Sequence, residues 1–229
     1  MKRLAAFLPL FLVSCAIVTP PAAPPSAGEL APLLSQNICA PHVLMTGRAT
    51  IKVGGERLAA RAALLVSRPA RLRLTLSDAL GSVWFLATAD EENLFYASPA
   101  HGARETFPRR AGAPIRLGGE RYWAEDFIDN FPPCLDPAVL REGELRYSNG
   151  ALRHEREGVK RRWEFYPGGR IKSLVLLRPA AAPARFEFAY GEEKGAFSVT
   201  INGASEFHFT RVAEVDLPPV SAFGPPVEN

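Results

Sequence analysis

Long apolar runs are missing from this chain. The most extended, Leu4–Val13, covers about ten residues, half of what a helix needs to cross a bilayer. Metal-ligand spacing is missing as well: His42, His101, His154 and His208 fall into no ligand pattern. Ser82 follows a glycine but lacks the Gly-x-Ser-x-Gly elbow that exposes a nucleophile. No glycine-rich segment joins a strand to a helix in phosphate-binding form. The carboxylates are no better placed. Asp90-Glu91-Glu92 falls in an expected hairpin, and Glu125, Asp126 and Asp129 lie on one short helical segment. Both groups read as solvated surface charge, because catalytic carboxylates need a partner held across a cleft. These absences leave no catalytic residue, no metal and no cofactor to assign.

An excess of one charge sign is also lacking. Lys and Arg number 27 against 24 Asp and Glu, a formal charge of +3; without Lys2 and Arg3 this becomes 25 against 24, or +1. So even a balance gives a nucleic-acid partner no electrostatic footing. The clusters Arg109-Arg110 and Lys160-Arg161-Arg162 read as solvated strand ends or, alternatively, as contacts for anionic lipid head groups.

What is present begins at the N-terminus. Lys2 and Arg3 precede the short apolar run, the form of a secretory signal. The run ends Leu12-Val13-Ser14-Cys15, which resembles the bacterial lipobox, with residues 1–14 as signal peptide and Cys15 as the lipid-attachment site. The resemblance implies cleavage before Cys15 and acylation there. Because each buried methylene contributes about 0.8 kcal/mol, more than one acyl chain holds firmly. Ala16 follows, where lipoproteins kept in the inner membrane often carry Asp. A lipid anchor on the periplasmic face of the outer membrane is therefore expected. Residues 15–28, with Pro20, Pro21, Pro24 and Pro25, read as an extended tether. Of three cysteines, Cys39 and Cys134 remain. In an oxidising periplasm they are either a disulfide, contributing roughly 4 kcal/mol, or two buried thiols.

Beyond the tether, side chains alternate with period two. Gly47, Ala49, Ile51 and Val53 alternate with Arg48, Thr50 and Lys52, and Gly54-Gly55 reads as a turn into Arg57–Val66. Leu72, Leu74 and Leu76 share one face of the next segment. Trp163 and Phe165, Phe186 and Phe188, Phe197 and Val199, then Phe207 and Phe209 repeat the habit. About ten strands are expected in one large, strongly curved antiparallel sheet. Helix signals are few: Glu29–Gln36, Tyr122–Phe131 with apolar positions at 123, 127, 128 and 131, and a segment after the Asp136-Pro137 cap. These short helices are the available cover for an apolar sheet face.

The order lipobox, spacer, short helix and Gly47-Arg48-Ala49 resembles LolB, a family of outer-membrane receptors for lipoproteins. So does Pro69–Phe85, where the tip Asp78-Ala79-Leu80-Gly81-Ser82 has Ala79 in a place where proline is common. Leu145-Arg146-Tyr147, Trp163-Glu164-Phe165-Tyr166 and Arg170-Ile171-Lys172 follow in the family's order. The resemblance implies a half-barrel domain over residues 29–217: an incomplete β-barrel covered by short α-helices, mainly β in class. The proline-bearing tail 218–229 has no counterpart. It further implies a monomer without catalysis or cofactor. Such a protein takes lipoprotein acyl chains from a soluble periplasmic LolA-like carrier and inserts them into outer-membrane lipid.

On that resemblance, Leu72, Leu74, Trp84, Trp163, Phe165, Phe186, Phe188, Phe197, Phe207 and Phe209 line an acyl-chain cavity. The alternation alone equally suits a solid core. The family's membrane-insertion leucine maps onto Leu80, which as a residue could also fold back against the sheet.

Overall fold

Alternation of small and apolar side chains with polar ones builds most of this chain as strand. The computed structural model describes residues 27–98, 103–109, 114–117, 119–179, 181–193 and 195–224. The signal segment, Cys15, most of the tether, Arg110 and residues 225–229 lie outside these. Among the described residues there are fifteen strands: β1 (His42–Val53), β2 (Glu56–Ser67), β3 (Arg71–Ser77), β4 (Val83–Ala89), β5 (Asn93–Ser98), β6 (Ala103–Pro108), β7 (Ile115–Leu117), β8 (Glu120–Tyr122), β9 (Glu144–Ser148), β10 (Ala151–Arg156), β11 (Val159–Phe165), β12 (Ile171–Leu177), β13 (Ala184–Tyr190), β14 (Phe197–Ile201) and β15 (Ser205–Glu214). Three short helices accompany them: α1 (Ala27–Gln36), α2 (Ala124–Ile128) and α3 (Pro137–Arg141). The strand count exceeds the expected ten, since short segments such as β7 and β8 are too brief to show a period.

Thirteen strands form one antiparallel sheet in the order β6-β5-β4-β3-β2-β1-β15-β14-β13-β12-β11-β10-β9, and β7 and β8 pair separately. Two meanders, β1 to β6 and β9 to β15, meet at a single ladder between β1 and β15. The sheet is curved and not closed into a barrel, with β6 and β9 as its edges. Its inner face carries Met45 and Ile51, Leu64 and Val66, Leu72, Leu74 and Leu76, then the phenylalanines of β13 to β15, all buried. An open sheet with one apolar face requires a cover.

The seam depends on Gly47. There the register against β15 shifts between Thr46 and Gly47, a bulge that increases local bending. A Cβ on Gly47 would lie 2.0 Å from the carbonyl oxygen of His208, so only glycine allows the two backbones to approach.

Helix signals hold at α3, where the Asp136 carboxylate accepts from Ala138 N–H at 2.8 Å with proline at the first helical position. The C-terminal segment folds back on the outer face. Its 3-10 turn, Val220–Phe223, buries Phe223, and Arg73 donates to the Ala222 carbonyl at 3.1 Å.

Gly47→Ala is expected to destabilise the chain by about 3 kcal/mol, the upper end of the overpacking range. Urea denaturation checks this, and an unchanged midpoint would remove the seam's dependence on close approach.

Candidate functional site

Two features of the sheet stand out: a concave apolar interior under α2, and a hairpin tip that projects from the rim. In the interior, Leu72, Leu74, Trp163, Phe186, Phe188, Phe197, Phe207 and Phe209 all lie buried in one continuous cluster. Phe165 is half-buried against the same cluster at the end of β11. Trp84 is likewise half-buried against the cluster. Leu76 pairs with Phe85 and Ser77 with Val83, which leaves Trp84 as the extra residue of a bulge, half-buried, while Phe85 takes the buried place.

The interior is occupied by aromatic side chains from the covering segment. Phe131 lies with ring centroids 6.1 Å from Phe186, 6.4 Å from Phe188, 6.4 Å from Phe197 and 6.2 Å from Phe209, in edge-to-face contacts. Phe127 packs on Phe131 at 5.3 Å and on Phe207 at 6.4 Å. Tyr122 is buried beside them, and its hydroxyl meets that of Ser205 at 3.0 Å; burial pushes the phenol up to about 12. The helical spacing of positions 123, 127, 128 and 131 marks this face in the sequence. That Phe131 reaches the centre follows only from the chain continuing past α2 into the bowl.

The cover is pinned at several points. Asp126 is fully buried and pairs with Arg178, whose guanidinium lies 4.7 Å from the centre of the Trp123 ring. Asp129, largely buried, faces Arg161 at 3.4 Å. The expectation that these two carboxylates are surface charge is overturned: α2 turns them toward arginines of the sheet, and only Glu125 is substantially solvated, paired with Arg109 at 2.9 Å. Beyond α2, Cys134 forms a disulfide with Cys39. Arg68 donates to the carbonyls of Ala40 at 2.5 Å and Phe131 at 2.7 Å, and to Cys134 Sγ at 3.2 Å. Sheet, linker and cover thus share one arginine.

The tip lies between β3 and β4. Asp78 accepts from the N–H groups of Leu80 at 2.8 Å and Ser82 at 2.9 Å, and Gly81 N–H reaches the Asp78 carbonyl at 3.2 Å. The Ser82 amide, with that of Leu80, holds the Asp78 carboxyl below its ordinary value. Gly81 has φ +92°, a conformation that suits glycine. This bracing presents Leu80 to solvent with 92 % of its surface exposed. Val83, at the start of β4, and Leu58 and Val53, at this end of β2 and β1, are also partly exposed.

The geometry is a curved open sheet with one apolar face under a short helical cover. A domain of Vibrio parahaemolyticus named for outer-membrane lipoprotein sorting is similar in structure, with a TM-score of 0.54 over 86 % of this chain and 94 % of that one, at 11 % identity. A LolA superfamily protein of Nitrosomonas europaea superposes with a TM-score of 0.46 over 88 % and 98 % of the two chains, at 9 % identity. No protein-family model matches the chain, and no curated protein sequence matches it. The likeness is one of fold.

Burial pushes the Asp129 carboxyl up to about 6 against the opposing pull of Arg161, with Glu125, Asp126 and Asp136 adding to the rise. A folded value above the unfolded one of about 4 means this contribution to stability is fully present below about pH 4 and lost as pH rises through 6. Stability is therefore expected to fall by on the order of 2 kcal/mol from this group between pH 4 and pH 7. Asp129→Asn is expected to flatten that part of the profile, as thermal melts across the range will test. A variant profile parallel to the parent's would assign the dependence elsewhere.

Proposed function

We propose that this chain is a LolB-type lipoprotein, anchored through Cys15 to the periplasmic face of the outer membrane. It receives the acyl chains of other lipoproteins from a soluble periplasmic LolA-like carrier and places them in outer-membrane lipid. The observation that carries this reading is Leu80, an apolar side chain braced into water on the same sheet whose concave face is apolar. The fold shared with the lipoprotein-sorting domain of Vibrio parahaemolyticus supports it. An acyl chain enters by taking the places of Phe127 and Phe131 as the cover lifts, because the bowl is filled when α2 is seated. Burying ten methylenes supplies about 8 kcal/mol toward that exchange. Transfer without an energy source runs downhill, from carrier to this bowl and then to the bilayer.

The filled bowl also favours a second reading. In it, Phe131 is a permanent core residue and the chain is an anchored assembly lipoprotein whose partner binds its surface.

Binding of a fluorescent fatty acyl probe to the chain carrying Cys15→Ser separates the two, since a permanent core admits none. On the first reading, Leu80→Glu keeps the fold and the probe but lowers transfer of a lipoprotein into liposomes by roughly tenfold or more, the worth of one buried leucine. Equal transfer by that variant would remove Leu80 from the mechanism.

A further inference from the structure

The outer face of β1 and β2 carries an unusual charge arrangement beside the tip. Arg48 lies directly opposite Arg61, and Lys52 directly opposite Arg57. Like charges placed so oppose each other. All four side chains are exposed, and none forms an ion pair or side-chain hydrogen bond with another described residue. The acidic groups nearby are Glu206, across from Thr50, and Glu56 at the start of β2; Asp78 is engaged with the tip backbone. The other half of the sheet differs. There Arg146, Arg162 and Arg185 each pair with a glutamate, at Glu144, Glu164 and Glu187.

Register fixes where these cations stand. Arg61 pairs with Ser77, so four residues further along β2 Arg57 comes level with the Leu80–Gly81 turn. Lys52 lies beside Arg57, and the Arg48–Arg61 pair stands about 13 Å back from the rim at the rise of a strand. Leu80, Val83 and Leu58 form the apolar edge, with the basic stripe rising behind it.

We infer that this stripe is a docking surface for an anionic phospholipid leaflet, with Lys52 and Arg57 seated among head-group phosphates while Leu80 enters the acyl region. The inference deepens the reading of Leu80 as the residue that meets lipid, and rests on it. Charge complementarity selects the occupant: four unpaired cations repel one another until phosphate lies between them. Apolar insertion and basic attraction each hold a bilayer weakly, and together they seat the tip more firmly than either alone. The seating also sets orientation. With Lys52 and Arg57 at head-group level and Arg48 and Arg61 further back along the strands, the tip points into the leaflet rather than along it.

The test uses the chain from residue 15 onward carrying Cys15→Ser, so that no acyl anchor masks binding. Co-sedimentation is measured with phosphatidylethanolamine vesicles containing about a quarter phosphatidylglycerol, and with phosphatidylcholine vesicles. At about fivefold per cation near an anionic surface, Lys52→Gln with Arg57→Gln is expected to weaken partition onto the anionic vesicles by roughly 25-fold. The difference is expected to vanish on phosphatidylcholine and to shrink in high salt. Melting temperature is expected to hold or rise, because a repelling pair has been removed. Anionic vesicle binding equal to the parent's would overturn the inference, as would an equal loss on phosphatidylcholine. Acyl-probe binding is read in parallel. Charge-dependent seating without any probe binding keeps the surface and removes the cargo reading, and probe binding with charge-independent seating does the reverse.

Discussion

An open sheet that bends through thirteen strands must hide one apolar face, and it cannot do so by closing on itself. That constraint organises the molecule. The β1–β15 ladder joins the two meanders, Gly47 lets their backbones close up, and the resulting bowl is lined by leucines on one side and phenylalanines on the other. Whatever covers the bowl determines whether water reaches those rings. Here the cover is a helix of a single turn and a half whose aromatic side chains supply the missing inner layer.

The manner of attachment matters more than the size of that helix. Phe127 and Phe131 contribute apolar contact, which any hydrocarbon of similar shape can replace. Asp126, Asp129 and Arg68 contribute bonds that hydrocarbon cannot replace. Buried carboxylates of this kind carry a desolvation cost that their arginines offset only when seated. The cover is thus seated by apolar contacts together with charges whose pairing depends on geometry.

Much of this was legible in the sequence. Alternation named the buried faces of β1, β3 and β13 to β15 correctly because both periods and burial follow from the same pleat. The tip was readable because a glycine after Leu80 marks a turn with nothing local to pack against. Other parts were not. Asp126 and Asp129 look like surface charge on a short polar helix, since their partners Arg161 and Arg178 stand more than thirty residues away in sequence. The bulge across from Leu76 and Ser77, which leaves Trp84 half-buried against the core and Phe85 fully buried, has no mark in the alternation. The basic stripe was hidden by sequence distance too: Arg48 and Arg61 become neighbours only through pairing, whereas Lys160-Arg161-Arg162 draws the eye and is partly neutralised.

The disulfide between Cys39 and Cys134 gives the cover a fixed pivot. The segment downstream of α2 is thereby held beside the entrance to β1. An opening of the cover, as the proposed function requires, would reverse within one molecule at a high local concentration, independent of how many copies are present. Any aromatic surface that such an opening would bare is covered again by the chain's own segment.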